Sequence, residues 1–313
     1  MKRKQLFYVV IVLTLFLLLA VSCATRQPQK KPEGAPKQEP TISLFMADEG
    51  EIKEIKMEEY IAGVVAGEME PDWPVNALAA QAILARTFTM ENVNAGRKFH
   101  GADASTNHEE FQAYDPQRVN DRIRQAVAKT RGEVITYEGE YTRGWFSACC
   151  GGITAAASEG LAEEKGNTGY LKANTKDGCL TITTEENKHW RAEIPLEEVR
   201  RILREKTGNE PGGISEAGIV RKGPSGRAME LRFGDATIYA SELRLAVGAD
   251  KMRSTLLSDF SVSGDKLVME GRGFGHGVGM CQWGARKMAQ EGKSPEDIVE
   301  FYHQNIAIQK LWD

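Results

Sequence analysis

The sequence predicts an α+β fold, with helices and antiparallel strands mixed in one large domain or two packed subdomains. Three observations lead there. Apolar residues recur at helical spacing in two adjoining stretches between Tyr60 and Phe88. Short strand-like runs follow, with a hairpin signal at Gly234-Asp235. Helices and strands do not alternate as in a βαβ chain, and no repeat period is present.

In chain order, Met1-Lys-Arg-Lys precedes an uncharged run from Leu6 to Ser22. Such a run directs export or anchors the chain, and the basic residues before it keep the N-terminus inside. The remainder is therefore expected at the outer face of the cytoplasmic membrane. Ala20-Val21-Ser22-Cys23 has the form of a lipobox, which makes Cys23 a lipidation site and residues 1–23 a removable signal. An uncleaved membrane helix is the alternative, and either reading tethers the protein to the membrane. Residues 24–41 carry four prolines and no large apolar side chain, the composition of a solvated linker. From residue 42 to 313 the composition is globular.

Within that part, Glu54 to Met69 is read as a helix broken by Pro71 and Pro74. Pro74, at a first-turn position, starts a second helix that runs to about Asn92. Its apolar stripe is Val75, Leu78, Ala79, Ala82, Ile83 and Met90, and Arg86 falls within it. A guanidinium on a buried face must be paired. Asp121 to Arg131 is a short helix stopped by Gly132. Strands are expected at Glu133–Tyr137, Tyr141–Ser147, Leu180–Thr184 and Trp190–Ile194, then a helix over Pro195–Thr207. Strands at Val220–Arg221, Ala228–Phe233 and Ala236–Tyr239 come next. Ser294-Pro295-Glu296-Asp297 opens a last helix with a serine cap and acidic first turn.

Charge narrows the partners. With the basic residues of the leader and the charges of 24–41 set aside, 33 basic residues face 42 acidic ones. A nucleic-acid binder wants a basic face, so a neutral or modestly charged polymer fits better.

Glu68 is the residue that most suggests chemistry. Ile61, Val64 and Val65 recur at i, i+3 and i+4, and Glu68 stands at i+7 of the same stripe. Lost hydration and the negative end of a helix both raise the pKa of a carboxyl placed there, as a general acid requires. A buried ion pair is the alternative on periodicity alone. A close Arg86 would hold Glu68 ionised, so the acid reading requires Arg86 to bond backbone carbonyls or substrate instead. Gln81 and Thr87 lie off the stripe, with polar groups available to a cleft.

Two further segments stand out. GRGFGHGVGMCQWGA, residues 271–285, places glycines at every second position around His276. The spacing is that of no nucleotide loop, and it implies a backbone pressed against a strand or a ligand. Ser147-Ala148-Cys149-Cys150-Gly151-Gly152 allows a cysteine nucleophile with His276 as base, an amidase or peptidase reading, against a plain glycine turn. Cys149, Cys150, Cys179 and Cys281 form no CxxC. They are read as buried thiols or disulfide partners, with zinc ligands at scattered positions as the lesser alternative.

GVVAGEM, the WPxxALxAQAxxARTF helix, SxxxGGxT, SGRA at Ser225–Ala228 and GHGVGMxQxGA together closely resemble the stage II sporulation protein D (SpoIID/LytB) family. The likeness covers nearly all of residues 42–313. It implies a peptidoglycan lytic transglycosylase that cleaves between N-acetylmuramic acid and N-acetylglucosamine on strands whose stem peptides an amidase has removed. Glu68, in the GEM position, would be the catalytic acid. Gln81, Arg86, Ser147, His276 and Gln282 are the candidates for substrate binding or for shaping the cleft. Partners would be glycan strands and an amidase, in spore engulfment. A non-catalytic amidase enhancer or glycan-binding protein is the alternative, a role the family also contains. Here Glu70 intervenes before Pro71, where the family has proline directly after GEM. Some clostridial members bind zinc around the segment matching His100 to Gln112; this chain has no cysteine there, so no metal and no cofactor is carried over.

Overall fold

The computed structural model describes residues 31–161, 166–208 and 212–313. The apolar run from Leu6 to Ser22 and Cys23 lie outside the described residues, among which no helix is long and apolar enough to cross a membrane. Helices and mostly antiparallel sheets share the chain, as an α+β fold requires.

The chain enters through a hairpin of β1 (Thr41–Met46) and β2 (Glu51–Lys56). Ile42 and Leu44 alternate into the core, which makes the first strand amphipathic. The helix expected from Glu54 therefore starts later: pairing with β1 holds the chain extended to Lys56, and α1 spans Met57–Glu68. α2 (Val75–Asn94) follows Pro74. It is buried nearly all round, because α1, α3 (Asp121–Lys129) and β4 (Glu133–Tyr137) all pack on it. Ala79, Ala80, Ala82 and Ala85, all buried, let these neighbours come close. β3 (Ala104–Ser105) lies parallel to β1.

The strand expected over Tyr141–Ser147 is divided into β5 (Glu140–Tyr141) and β6 (Phe146–Ser147). Gly144 separates them at φ 53, where a Cβ would lie 2.5 Å from the Leu84 carbonyl oxygen, so only glycine fits the turn. After α4 (Ala157–Gly160), the segment expected as a strand at Leu180–Thr184 is instead a 3-10 turn over Cys179–Thr181. Gly178 in the left-handed region and an Asp177 carboxylate that accepts from Cys179 N–H turn the chain there.

Beyond α5 (Glu185–Lys188) a second hydrophobic core begins. β7 (Trp190–Pro195) leads into α6 (Leu196–Thr207), whose Val199, Ile202 and Leu203 face inward. β8 (Ala217–Lys222), β9 (Ala228–Phe233) and β10 (Ala236–Tyr239) form a meander, with the predicted turn at Gly234-Asp235. α7 (Ala240–Val247) and the hairpin of β11 (Leu257–Ser263) and β12 (Lys266–Gly271) complete this lobe, β12 pairing also with β7. The chain then returns to the first core through β13 (Met280–Cys281), parallel to β6, α8 (Gln282–Gln290), α9 (Pro295–Tyr302) and β14 (Ile306–Lys310) beside β4. The serine cap predicted for the last helix is present and is one half of a capping box, Ser294 Oγ accepting from Asp297 N–H and Asp297 accepting from Ser294 N–H.

The SGRA segment joins the lobes. Arg227 is fully buried and donates to the Cys150 carbonyl at 2.7 Å and the Ile153 carbonyl at 3.0 Å. Glu159 accepts from both the N–H and the hydroxyl of Ser225, each at 2.8 Å. The described end of the 24–41 segment also departs from a free linker: Pro32 is buried, and Glu39 accepts from Glu58 N–H and pairs with Arg131.

Candidate active site

Glu68 is the last residue of α1; Met69 is already extended. The stripe beneath it, Ile61, Val64 and Val65, is fully buried, while Glu68 keeps a partial opening to solvent. Its hydrogen-bond donor is the backbone N–H of Ala113, at 2.8 Å from Oε1. Burial pushes the carboxyl up to about 7, and the Ala113 N–H opposes only part of that rise. A carboxyl so poised is partly protonated near neutrality and can both give and take a proton.

The Ala113 bond depends on glycine. A Cβ at Gly67 would stand 2.8 Å from the Ala113 carbonyl carbon, and one at Gly63 would stand 2.2 Å from the Tyr114 ring. These two glycines, four residues apart on one face of α1, let the 113–114 backbone lie against the helix. Neither Ala113 nor this use of the glycines was expected; the pair in GVVAGEM was the available signal.

Gln282, the first residue of α8, donates from Nε2 to the Glu68 carbonyl oxygen at 3.1 Å and stands 3.4 Å from Gln81 Oε1. Glu68, Gln81 and Gln282 are thus brought together from three helices. Gln81 is fully buried, and its Nε2 has no hydrogen-bond partner among the described residues. It supports Gln282 from below, which corrects its placement on an open cleft. Thr87 is also buried, donating to Ile83 O and accepting from Ile135 N–H.

Arg86 belongs elsewhere. Its Nε and NH2 groups donate to Glu58 Oε1 and Oε2 at 3.1 and 2.6 Å, and NH1 donates to the Glu133 carbonyl at 2.8 Å. Its side chain is fully buried, so it ties α2 to α1 and β4 and presents nothing to a substrate. Glu58 is saturated further by Gly132 N–H and Trp312 Nε1. Glu70 is exposed and paired with Arg118.

Ser147 and His276 lie together along the glycine segment. Glycines 273, 275, 277 and 279 all have positive φ, and Cβ atoms there would meet Cys149 O, Ser147, Arg227 and Trp145 O. The alternate glycines therefore press against protein, the first of the two expected reasons. Ser147 is buried with its hydroxyl unpartnered, and His276 packs edge-on to Trp145. Nδ1 of His276 accepts from Val278 N–H at 3.1 Å. Burial, then the nearby Arg244 and Arg227, bring its pKa down to about 3, so the ring is neutral. The thiols it was considered to activate are buried against one another and Asp177. Among the described residues no cysteine–histidine pair is formed.

Sequence reasoning also passed over an aromatic stack beside Gln282. Trp73 meets Trp283 edge-on at 4.9 Å, and the Arg286 guanidinium lies over both rings at 5.0 and 4.9 Å. Trp283 and Arg286 are half-buried. Both tryptophans fall inside the WPxxAL and QWGA motifs.

The profile of the SpoIID family, described as Stage II sporulation protein, matches residues 47–137, and a domain of unknown function (DUF8618) matches residues 170–279. An uncharacterized protein of Brachyspira hyodysenteriae is 32% identical over 262 residues, 82% of this chain and 67% of that protein. Stage II sporulation protein D of Bacillus subtilis is 27% identical over 292 residues, 86% of this chain and 79% of that one. The amidase enhancer of Bacillus subtilis is 26% identical over 288 residues, 78% of this chain but 39% of that protein. The chain belongs to the SpoIID family.

Proposed function

We propose that this protein is a sporulation-related lytic transglycosylase of the cell wall, using Glu68 as its single acid and base. The observation that supports this reading is a carboxyl raised to about 7, with no cation paired to it among the described residues, at the C-terminal end of a buried helix. The substrate is the peptidoglycan glycan strand stripped of its stem peptides. Glu68 protonates the glycosidic oxygen between N-acetylmuramic acid and N-acetylglucosamine. It then accepts the proton of the muramic C6 hydroxyl as that oxygen attacks C1, leaving a 1,6-anhydro end. One carboxylate serves both steps, so no second one need activate water. Gln282 is fixed on the Glu68 carbonyl, and the next residue, Trp283, stacks with Trp73 and Arg286; aromatic faces suit the apolar faces of sugar rings. In this reading the N-terminal segment anchors the enzyme at the outer face of the cytoplasmic membrane, and an amidase supplies the stripped strands.

The similarity to the amidase enhancer supports a second reading, a non-catalytic glycan-binding partner of an amidase. Product analysis on stripped glycan strands separates the two. New 1,6-anhydro ends, lost in Glu68→Gln, are expected from the first. Stimulation of an added amidase without new ends would replace it with the second.

A further inference from the structure

Cys150, Asp177, Cys179 and Cys281 are all buried, and their sulfur and carboxylate atoms lie within 4.8 Å of one another. They come from three segments of the fold: the loop after β6, the Asp177-Gly178-Cys179 turn, and the end of β13. Cys150 Sγ is 3.6 Å from Cys179 Sγ and 3.3 Å from Asp177 Oδ2. In a tetrahedral zinc site with Zn–S bonds of about 2.3 Å, neighbouring sulfurs stand about 3.8 Å apart. Van der Waals contact accounts readily for one such pair, less so for four ligand atoms all within 4.8 Å of one another.

The surroundings suit charged ligands. Cys281 Sγ accepts backbone N–H groups from Cys150 at 3.2 Å and Gly284 at 3.3 Å. Two N–H donors aimed at one sulfur would stabilise a thiolate bound to a metal, and the Ala148 carbonyl, at 3.9 Å, is the acceptor open to the thiol proton when none is bound. Asp177 is held from both sides: Oδ1 accepts from Cys179 N–H at 3.0 Å and Oδ2 from Tyr302 O–H at 2.9 Å. Such outer partners orient the ligands of metal sites. The buried Arg227, bonded to the Cys150 carbonyl, offsets part of the excess negative charge.

We propose that Cys150, Cys179, Cys281 and Asp177 form a closed tetrahedral site for a structural zinc ion. Three thiolates and a carboxylate suit zinc, and four protein ligands leave no position for substrate. Cys149 lies beside the site, 3.7 Å from Cys179, outside the four-donor set. Sequence spacing argued against a metal because no two of these cysteines share a local motif; the fold assembles the site. The ion joins the loop after β6 to the N-cap of α8, Cys281, whose neighbour Gln282 reaches Glu68. It thereby fixes the approach of Gln282 to the proposed acid; only this consequence rests on the Glu68 reading.

Elemental analysis of the full-length protein, produced with zinc in the medium and dialysed against a weak chelator, tests the site without any activity assay. About one zinc per chain is expected, together with a tetrahedral thiolate charge-transfer spectrum after cobalt exchange. Cys149→Ser should keep the metal, whereas Cys179→Ser and Cys281→Ser should bind it at least about tenfold more weakly. Zinc below about a tenth of an equivalent in folded parent protein, iron in its place, or a disulfide joining two of the three cysteines in non-reducing peptide mapping would overturn the proposal. The parent protein and Cys149→Ser decide the matter even if the other variants fail to fold.

Discussion

Arg86 is bonded at two points to Glu58 and not to Glu68, so two carboxylates on one helix have different partners. Glu58, in the first turn of α1, is bonded by Arg86, Gly132 N–H and Trp312 Nε1. Glu68, ten residues on, receives a single backbone N–H and is raised toward neutrality. The arginine that could have paired with Glu68 is occupied by Glu58, ten residues before it on the same helix.

Because the pair is buried, removing one partner strands the other. Arg86→Ala or Arg86→Met should cost about 3–5 kcal/mol of stability, measured by urea unfolding. Replacing Glu58 and Arg86 together by apolar residues of similar volume should restore much of that loss. A single variant as stable as the parent would show that the pair does not hold α2 to α1.

Glu68 makes a second stability prediction, with its sign set by the raised pKa. A group raised in the folded state favours folding fully below its unfolded pKa of about 4.5, and that contribution fades as pH rises through about 7. Glu68→Gln is always neutral, so it should match the parent near pH 4 and exceed it at pH 8. The gain is at most about 3 kcal/mol, reduced by screening at this partly open position. Paired unfolding curves at the two pH values check it; an equal difference at both would mean that Glu68 is not raised.

Gly67 controls the proton affinity of the acid at one remove. Gly67→Ala would push the 113–114 backbone off α1 and withdraw the N–H that favours ionised Glu68. The pKa should then rise further, moving the alkaline limb of the pH–rate profile upward. A merely structural glycine would lower the rate at every pH and leave the limb in place.

What was legible in the sequence was local. Glu68 declared itself by breaking a stripe that Ile61, Val64 and Val65 set, and Ser294-Pro295 announced its helix by cap chemistry alone. The turn at Gly234-Asp235 needed no partner from elsewhere. The β1–β2 pairing was not legible, because Glu54–Lys56 fits a helix until Thr41 and its neighbours are laid beside it. α8 was hidden for a related reason: its cap is Cys281 Sγ accepting from Gly284 N–H, an unusual cap inside a glycine-rich segment. Ala113 carries no side-chain signal at all; only the fold brings its N–H to Glu68. The roles of Arg86 and of the dispersed cysteines likewise depended on partners distant in sequence.

His276 offers the sharpest separation of the acid from its surroundings. With Nδ1 accepting from Val278 N–H and the ring lowered to about 3, this imidazole stays neutral throughout the working range. Its ring resonances should therefore not move between pH 5 and pH 8 in a titration followed by NMR, at about the range where an ordinary histidine changes charge. On the proposed reading the alkaline limb of an activity profile belongs to Glu68, and His276→Gln should lower the rate without shifting that limb. A histidine that titrates near 6.5, or a limb that moves in His276→Gln, would instead make the imidazole a partner in proton transfer.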